Sequence, residues 1–266
     1  MQPPAENRIN LTEHELEVIE IFQIAYRSVR RIWWTWIPVF LVELIASGWG
    51  YYQASSMLVA LNPEAAGDFQ KVMEAMNGGP GWYQWMQLLL FCLTFAAMYF
   101  PTKHAAELTG FSDPENRQMF AYVIGCILLT VFSAVGLLLC ILPGFVVLFF
   151  LCMYPSAIVV EKSNPFRAIG MAFRVATIRP GKIFALLFLF LLVTMLATLG
   201  SMIPYFAYSI TRAAQGSTPD FIGTGALLLL YGGIGLVSTV VYTYGAHLFT
   251  VAYGNLRSFI PAGQEF

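Results

Sequence analysis

Residues 181–203 read GKIFALLFLFLLVTMLATLGSMI. Beyond Lys182 the run carries no charge, and it holds the roughly 20 apolar residues that a helix needs to cross a hydrocarbon core of about 30 Å. This stretch decides the fold class, because similar runs recur along the chain. Of the 266 residues 58% are hydrophobic and only 11% are charged, against roughly 25% charged in a soluble domain. The reading is an all-α polytopic membrane helix bundle. Six spans are expected, at about 32–50, 83–100, 119–141, 145–160, 183–203 and 223–250. They form a membrane domain over 32–256, between an N-terminal tail with an amphipathic helix (1–31) and a short C-terminal tail (257–266).

The segments between the runs refine this picture. Thr12-Glu13-His14-Glu15 fits a capping box. The helix it opens places Leu16, Ile19, Phe22 and Tyr26 at helical spacing and closes on Arg27, Arg30 and Arg31. Trp33, Trp34 and Trp36 then form an interfacial belt at the start of the first span. Asn62-Pro63 opens a short helix that Gly78-Gly79-Pro80-Gly81 ends. Phe100-Pro101 closes the second span, and a polar loop, 101–118, follows. Ser112-Asp113-Pro114-Glu115 is a second capping box. Leu142-Pro143-Gly144 reads as a tight turn between spans three and four. Residues 161–182 are the most basic stretch, with Asn164-Pro165 opening a second surface helix and Pro180-Gly181 ending it. Pro204 stops the fifth span, and a loop through Arg212 leads to the sixth, which is longer than a bilayer requires. No cleavable leader pattern is visible near residue 1, so the first span is expected to act as the insertion signal.

Charge sets an orientation. One set of loops and tails holds Arg8, Arg27, Arg30, Arg31, Lys103, Arg117, Lys162, Arg167, Arg174, Arg179, Lys182 and Arg257; the other holds Lys71 and Arg212. The asymmetry alternates correctly through six spans and places both termini in the cytoplasm. The formal net charge of −1 gives no basic field for nucleic acid.

The two surface helices echo one another. Ala25-Tyr26-Arg27 precedes span one and Ala172-Phe173-Arg174 precedes span five, and each helix runs directly into a long apolar stretch. Two halves of similar plan are one reading of this echo, and chance similarity of a short motif is the other. The stretch 142–190 carries a broader pattern: Leu142-Pro143-Gly144, Tyr154-Pro155, Pro165-Phe166-Arg167-Ala168, Ala172-Phe173-Arg174 and Arg179-Pro180-Gly181-Lys182. It resembles the membrane domain attached to some bacterial glycerophosphodiester phosphodiesterases, and related stand-alone inner-membrane families. The resemblance implies a bacterial cytoplasmic membrane and surface helices ahead of spans. It does not imply phosphodiesterase activity, since in those enzymes a separate soluble domain rich in histidines and carboxylates does the chemistry.

Few residues invite chemistry. Glu43 is the one carboxylate well inside a span, and an intramembrane acid is costly enough to ask for a reason. It lies about 18 Å above Arg31 at 1.5 Å per residue, and His247 lies about 15 Å from Arg257, so the two form a candidate intramembrane pair. A structural, hydrogen-bonded carboxyl is the plainer reading. Arg27, Arg30, Arg31, Arg167, Arg174, Arg179 and Lys182 are candidate contacts for lipid phosphate, although the positive-inside bias alone accounts for several of them. Cys92, Cys126, Cys140 and Cys152 lie in apolar runs without ligand spacing, so no metal, cofactor or disulfide is expected. Gly232, Gly235 and Thr239 give the last span a small-residue packing face. No nucleotide-binding, hydrolase or zinc motif is present. The expectation is a non-enzymatic, lipid-interacting scaffold or accessory protein. Membrane lipids are its expected partners, with a second membrane protein or another copy of the chain as further ones. The alternative is a small transporter or channel with a path near Glu43 and His247.

Overall fold

The computed structural model describes residues 14–60, 81–112, 118–139, 141–214 and 224–260, and among these every regular element is helical. In chain order they are α1 (Val18–Arg31), a short 3-10 turn (Trp33–Thr35), α2 (Trp36–Ala60), α3 (Gly81–Leu108), α4 (Met119–Leu139), α5 (Ile141–Leu151), α6 (Tyr154–Val160), α7 (Pro165–Ile178), α8 (Pro180–Ser201), α9 (Ile203–Ala214) and α10 (Thr224–Ser258).

Five stretches are long and apolar enough to cross a bilayer: Trp82–Leu108, Met119–Leu138, Pro143–Val160, Pro180–Arg212 and Gly225–Ser258. A sixth is reached when Val18–Arg31 and Trp33–Ser55 are joined across a bend of 84°. At 1.5 Å per residue the 14 residues of α1 reach about 21 Å, too short for a 30 Å core, whereas the 25 residues of α2 reach about 37 Å. The chain is a polytopic helical membrane protein, and the sharp bend before Trp33 separates an amphipathic helix from a membrane-length one.

Several boundaries differ from the sequence expectation. α1 begins at Val18, where the Glu20 carboxylate accepts the Glu17 N–H at 2.7 Å, and Glu15 stays outside the helix. Thr12 lies outside the described residues, as do the 62–78 helix, most of the second capping box and Cys140. α3 does not stop at Pro101 but runs through it to Leu108. Burial of Thr102, Ala105, Ala106 and Leu108 outweighs the lost backbone hydrogen bond. The polar residues read as loop, Lys103, His104 and Glu107, make i,i+3 and i,i+4 pairs along that helix. Its end is set by Gly110 at φ 80°, with the Phe111 N–H returning to the Ala106 carbonyl at 2.8 Å. Leu142-Pro143-Gly144 is not a turn: it sits in the first turn of α5, where a proline costs no intrahelical bond. The fourth span is broken at Cys152–Met153, ahead of Pro155 in the first turn of α6. Pro204 likewise lies in the first turn of α9, so Arg212 is helical rather than in a loop.

The chain divides into two compact units. The first comprises Met1–Pro38, Phe95–Leu192 and Tyr242–Phe266. Here α4, α5, α6 and α7 pack on one another. The α4–α5 hairpin is close enough that a Cβ on Gly136 would stand 2.9 Å from the Gly144 Cα. Gly125 of α4 meets the side chains of Tyr154 and Ile158 from α6, and Phe150 stacks on Phe173 of α7 at 4.5 Å. Ile21, Tyr122, Tyr154, Ile158, Ile183 and Tyr253 are among the residues of one continuous core. The second unit comprises Val39–Thr94 and Val193–Val241. It holds an aromatic cluster in which Trp49 meets Tyr83 at 5.1 Å and Trp82 at 5.5 Å. It also holds a cavity of about 420 Å³ lined by Phe40, Leu44, Ser47, Pro204, Leu228 and Gly232 among others.

Candidate lipid-facing site

The echo between the surface helices extends to their full length. At the offset that aligns Arg27 with Arg174, Val18 aligns with Pro165, Arg31 with Ile178, and the N-cap Glu17 with the N-cap Asn164. Three of the four buried positions on each helix share this register: Ile21, Ala25 and Ser28 align with Ala168, Ala172 and Val175, all in the interior of the first unit. The outward positions match as well. Ile19 and Tyr26 are 66% and 62% exposed, and their counterparts Phe166 and Phe173 are 74% and 48% exposed. Each helix therefore presents an apolar residue, an aromatic one a further two turns along, and an arginine beside it. Each helix thus buries one apolar face in protein and shows further apolar side chains beside cations.

On α1 the exposed side opens into a surface groove of about 520 Å³, lined by Ile19, Phe22, Gln23, Tyr26, Arg27 and Tyr244. The Tyr244 hydroxyl donates to the Phe22 carbonyl at 3.0 Å, which fixes the helix against α10. Arg27 and Arg30 are exposed on this helix, and Arg167 is exposed on α7. Asn164 caps α7 by accepting the Arg167 N–H at 2.8 Å.

Arg179 and Lys182 are both committed to one carboxylate, that of Glu15. The Arg179 Nε donates to the two Glu15 oxygens at 2.9 and 3.1 Å, its Nη2 donates at 3.0 Å, and the Lys182 Nζ lies 2.7 Å from Oε1. Hydrogen bonds from Arg179, then from Lys182, hold the Glu15 carboxyl at about 2, well below its ordinary 4.5. The neighbouring backbone is gripped too. The Leu16 N–H donates to the Asn255 Oδ1 at 3.0 Å, the Asn255 Nδ2 donates to the His14 carbonyl at 3.1 Å, and the Lys182 Nζ donates to the Leu16 carbonyl at 2.9 Å. Residues 14–17 thus form a non-helical strap, with the Leu16 side chain buried beneath it. A second clasp joins Glu161 to Arg257, with the Tyr253 hydroxyl donating to the same carboxylate at 2.9 Å.

The structure gives Glu43 and His247 different partners. Glu43 is buried in the second unit and accepts a long hydrogen bond, 3.4 Å, from the Thr94 hydroxyl. His247 is buried in the first unit, where its Nδ1 is 2.8 Å from the Ser28 Oγ. The His247 Nε2 and the Thr243 hydroxyl, one turn apart on α10, are buried without a hydrogen-bond partner among the described residues. His104, paired with Glu107 at 2.6 Å and edge-on to Trp34, lies within electrostatic reach of His247. No group of three or more metal-ligating side chains occurs among the described residues.

Sequence reasoning missed Glu15, Glu161 and Asn255 as organising residues. The available signal was weak: Asn255 is a polar residue near the end of an apolar run, and Glu161 is the acidic residue that opens the basic stretch. No protein-family model, curated protein or solved structure matches the chain, so the resemblance of residues 142–190 rests on its motifs.

Proposed function

We propose that this chain is a non-enzymatic, lipid-interacting scaffold or accessory protein of the bacterial cytoplasmic membrane, crossing it six times with both termini inside, and akin to the membrane-domain group that residues 142–190 resemble. The observation that carries the reading is the matched outward face of α1 and α7, with Ile19, Tyr26 and exposed Arg27 on one and Phe166, Phe173 and half-buried Arg174 on the other. Aromatic and apolar side chains enter the headgroup boundary while guanidinium groups meet phosphate. The open groove along α1 is lined by apolar and aromatic side chains together with Arg27.

The test is lipid analysis by mass spectrometry of the full chain purified with its annular lipid. Anionic phospholipid is expected to be enriched over the bulk membrane, and Arg27→Gln with Arg174→Gln is expected to reduce that enrichment by about fivefold per cation. A lipid composition equal to the bulk membrane in the unmodified protein overturns the proposal.

A small transporter is the second reading, favoured by the unpartnered His247 Nε2 and Thr243 hydroxyl. In a background without native cysteines, Thr243→Cys would react with a water-soluble thiol reagent if water reaches α10 there. Complete protection removes this reading.

A further inference from the structure

We infer that Arg179 and Lys182 form a binding site for the phosphate of an anionic phospholipid, and that the Glu15 carboxylate occupies this site in the closed state and is displaced when such a lipid binds. The inference rests on the lipid-interacting reading and adds to it the place of one headgroup and the means of its control. Three donor atoms from two cations converge on a single two-oxygen anion at 2.7–3.1 Å. The guanidinium fork fits phosphate oxygens as well as carboxylate oxygens, so Glu15 is a stand-in of the same charge as a phosphodiester.

Position selects a lipid over a soluble phosphate. Arg179 caps α7 and Lys182 lies in the first turn of α8, the helix that carries the uncharged run. Two turns along α8 from Lys182, on the same side of the helix, Leu189 is exposed, while Phe184 and Phe188, stacked with ring centroids 6.1 Å apart, are exposed on its other flank. A headgroup on the cations thus has an exposed aliphatic side chain beside its acyl chain on the same side of that uncharged helix. Exchange needs no unfolding of the core, because the Glu15 and Arg179 side chains keep 23% and 44% of their surface in solvent. An ion pair that open is held weakly enough to be traded.

The experiment uses the full chain in nanodiscs of phosphatidylcholine alone, and of phosphatidylcholine mixed with phosphatidylglycerol, with limited proteolysis at the strap and retained lipid as readouts. Phosphatidylglycerol is expected to raise cleavage within residues 14–17. Glu15→Gln is expected to raise retained phosphatidylglycerol about fivefold, and Arg179→Gln with Lys182→Gln to abolish the gain. Inorganic phosphate added to the phosphatidylcholine discs is the comparison. Equal cleavage with inorganic phosphate overturns the lipid assignment, and unchanged retention in Glu15→Gln overturns the site. Should Arg179→Gln fail to fold, Arg179→Lys in the Glu15→Gln background serves, with reduced retention expected and full retention counting against the fork. If phosphatidylglycerol is enriched in every variant alike, this inference fails while the lipid reading stands; if it is enriched in none, both fail.

Discussion

The Ser28 hydroxyl and the His247 ring meet at 2.8 Å, Oγ to Nδ1, across 219 residues of sequence and with both side chains fully buried. The contact pins the inner face of the first amphipathic helix to the last membrane helix. Ser28→Ala strands a buried ring nitrogen, which costs about 1–3 kcal/mol. A lowered midpoint of thermal unfolding in detergent or nanodiscs checks this. Ser28→Ala combined with His247→Leu removes both polar partners and is expected to recover part of the loss. A double variant no better than the sum of the singles would show that the hydrogen bond is not what matters there.

Acid should loosen the N-terminal strap. The Glu15 carboxyl is depressed to about 2 from 4.5 by Arg179 and Lys182. A depressed carboxylate contributes its full stabilisation above the unfolded value and loses it as the pH falls from about 4.5 through about 2. The charged groups around it are Arg179 and Lys182, with His14 and Glu20 on the strap and on α1. Amide protection at residues 14–17, taken relative to the intrinsic exchange rate at each pH, is expected to fall through that window, and Glu15→Gln is expected to show the low protection already at neutral pH. Identical profiles for the two proteins would contradict the prediction.

Asn255 should matter more than a single polar residue in a helix usually does. Its side chain accepts the Leu16 N–H and donates to the His14 carbonyl while itself fully buried. Asn255→Ala leaves those backbone groups unmet, at about 1–3 kcal/mol for each one that stays buried. Asn255→Asp keeps the acceptor and loses the donor, so it should fall between. Protection of the Leu16 amide in hydrogen exchange distinguishes the three proteins.

Two glycines should respond to alanine with opposite signs. At Gly136 a Cβ would press on the backbone of Gly144 and Pro143, so Gly136→Ala must separate the α4–α5 hairpin, at about 1–3 kcal/mol. At Gly170, in the middle of α7, a Cβ meets nothing within 4 Å. Gly170→Ala gains helix propensity and should stabilise by up to about 1 kcal/mol. Thermal unfolding of the two variants side by side is the measurement, and destabilisation by Gly170→Ala would show that the outer side of α7 is covered in the folded protein.

The membrane-length helices were legible because an uncharged run such as 183–203 leaves the backbone no alternative to internal hydrogen bonding. The amphipathic helices were legible from spacing, and even their register was present in the Ala-aromatic-Arg echo. What misled was local chemistry that tertiary packing overrules. Pro101 reads as a terminator, yet the helix continues because Ala105, Ala106 and Leu108 are buried beyond it. Glu15 reads as part of a capping box, yet its partners lie 164 residues away in Arg179 and further on in Lys182. Local pattern has no means of encoding a pairing at that separation. Of the seven candidate phosphate cations, the sequence could not show that two are already held by a carboxylate.

The strap also imposes an order on synthesis. Its acidic residue meets Arg179 at a separation of 164 residues, whereas its Leu16 N–H waits for Asn255 at a separation of 239. At about 5–20 residues per second the ribosome delivers the second grip several seconds after the first. During that interval the strap is held by Arg179 and Lys182 alone, with the Leu16 N–H lacking its Asn255 bond. A polypeptide cut short before α10 would keep that segment loose and accessible to proteases. Closure of the strap is thus a chemical record that translation has passed Asn255 of α10.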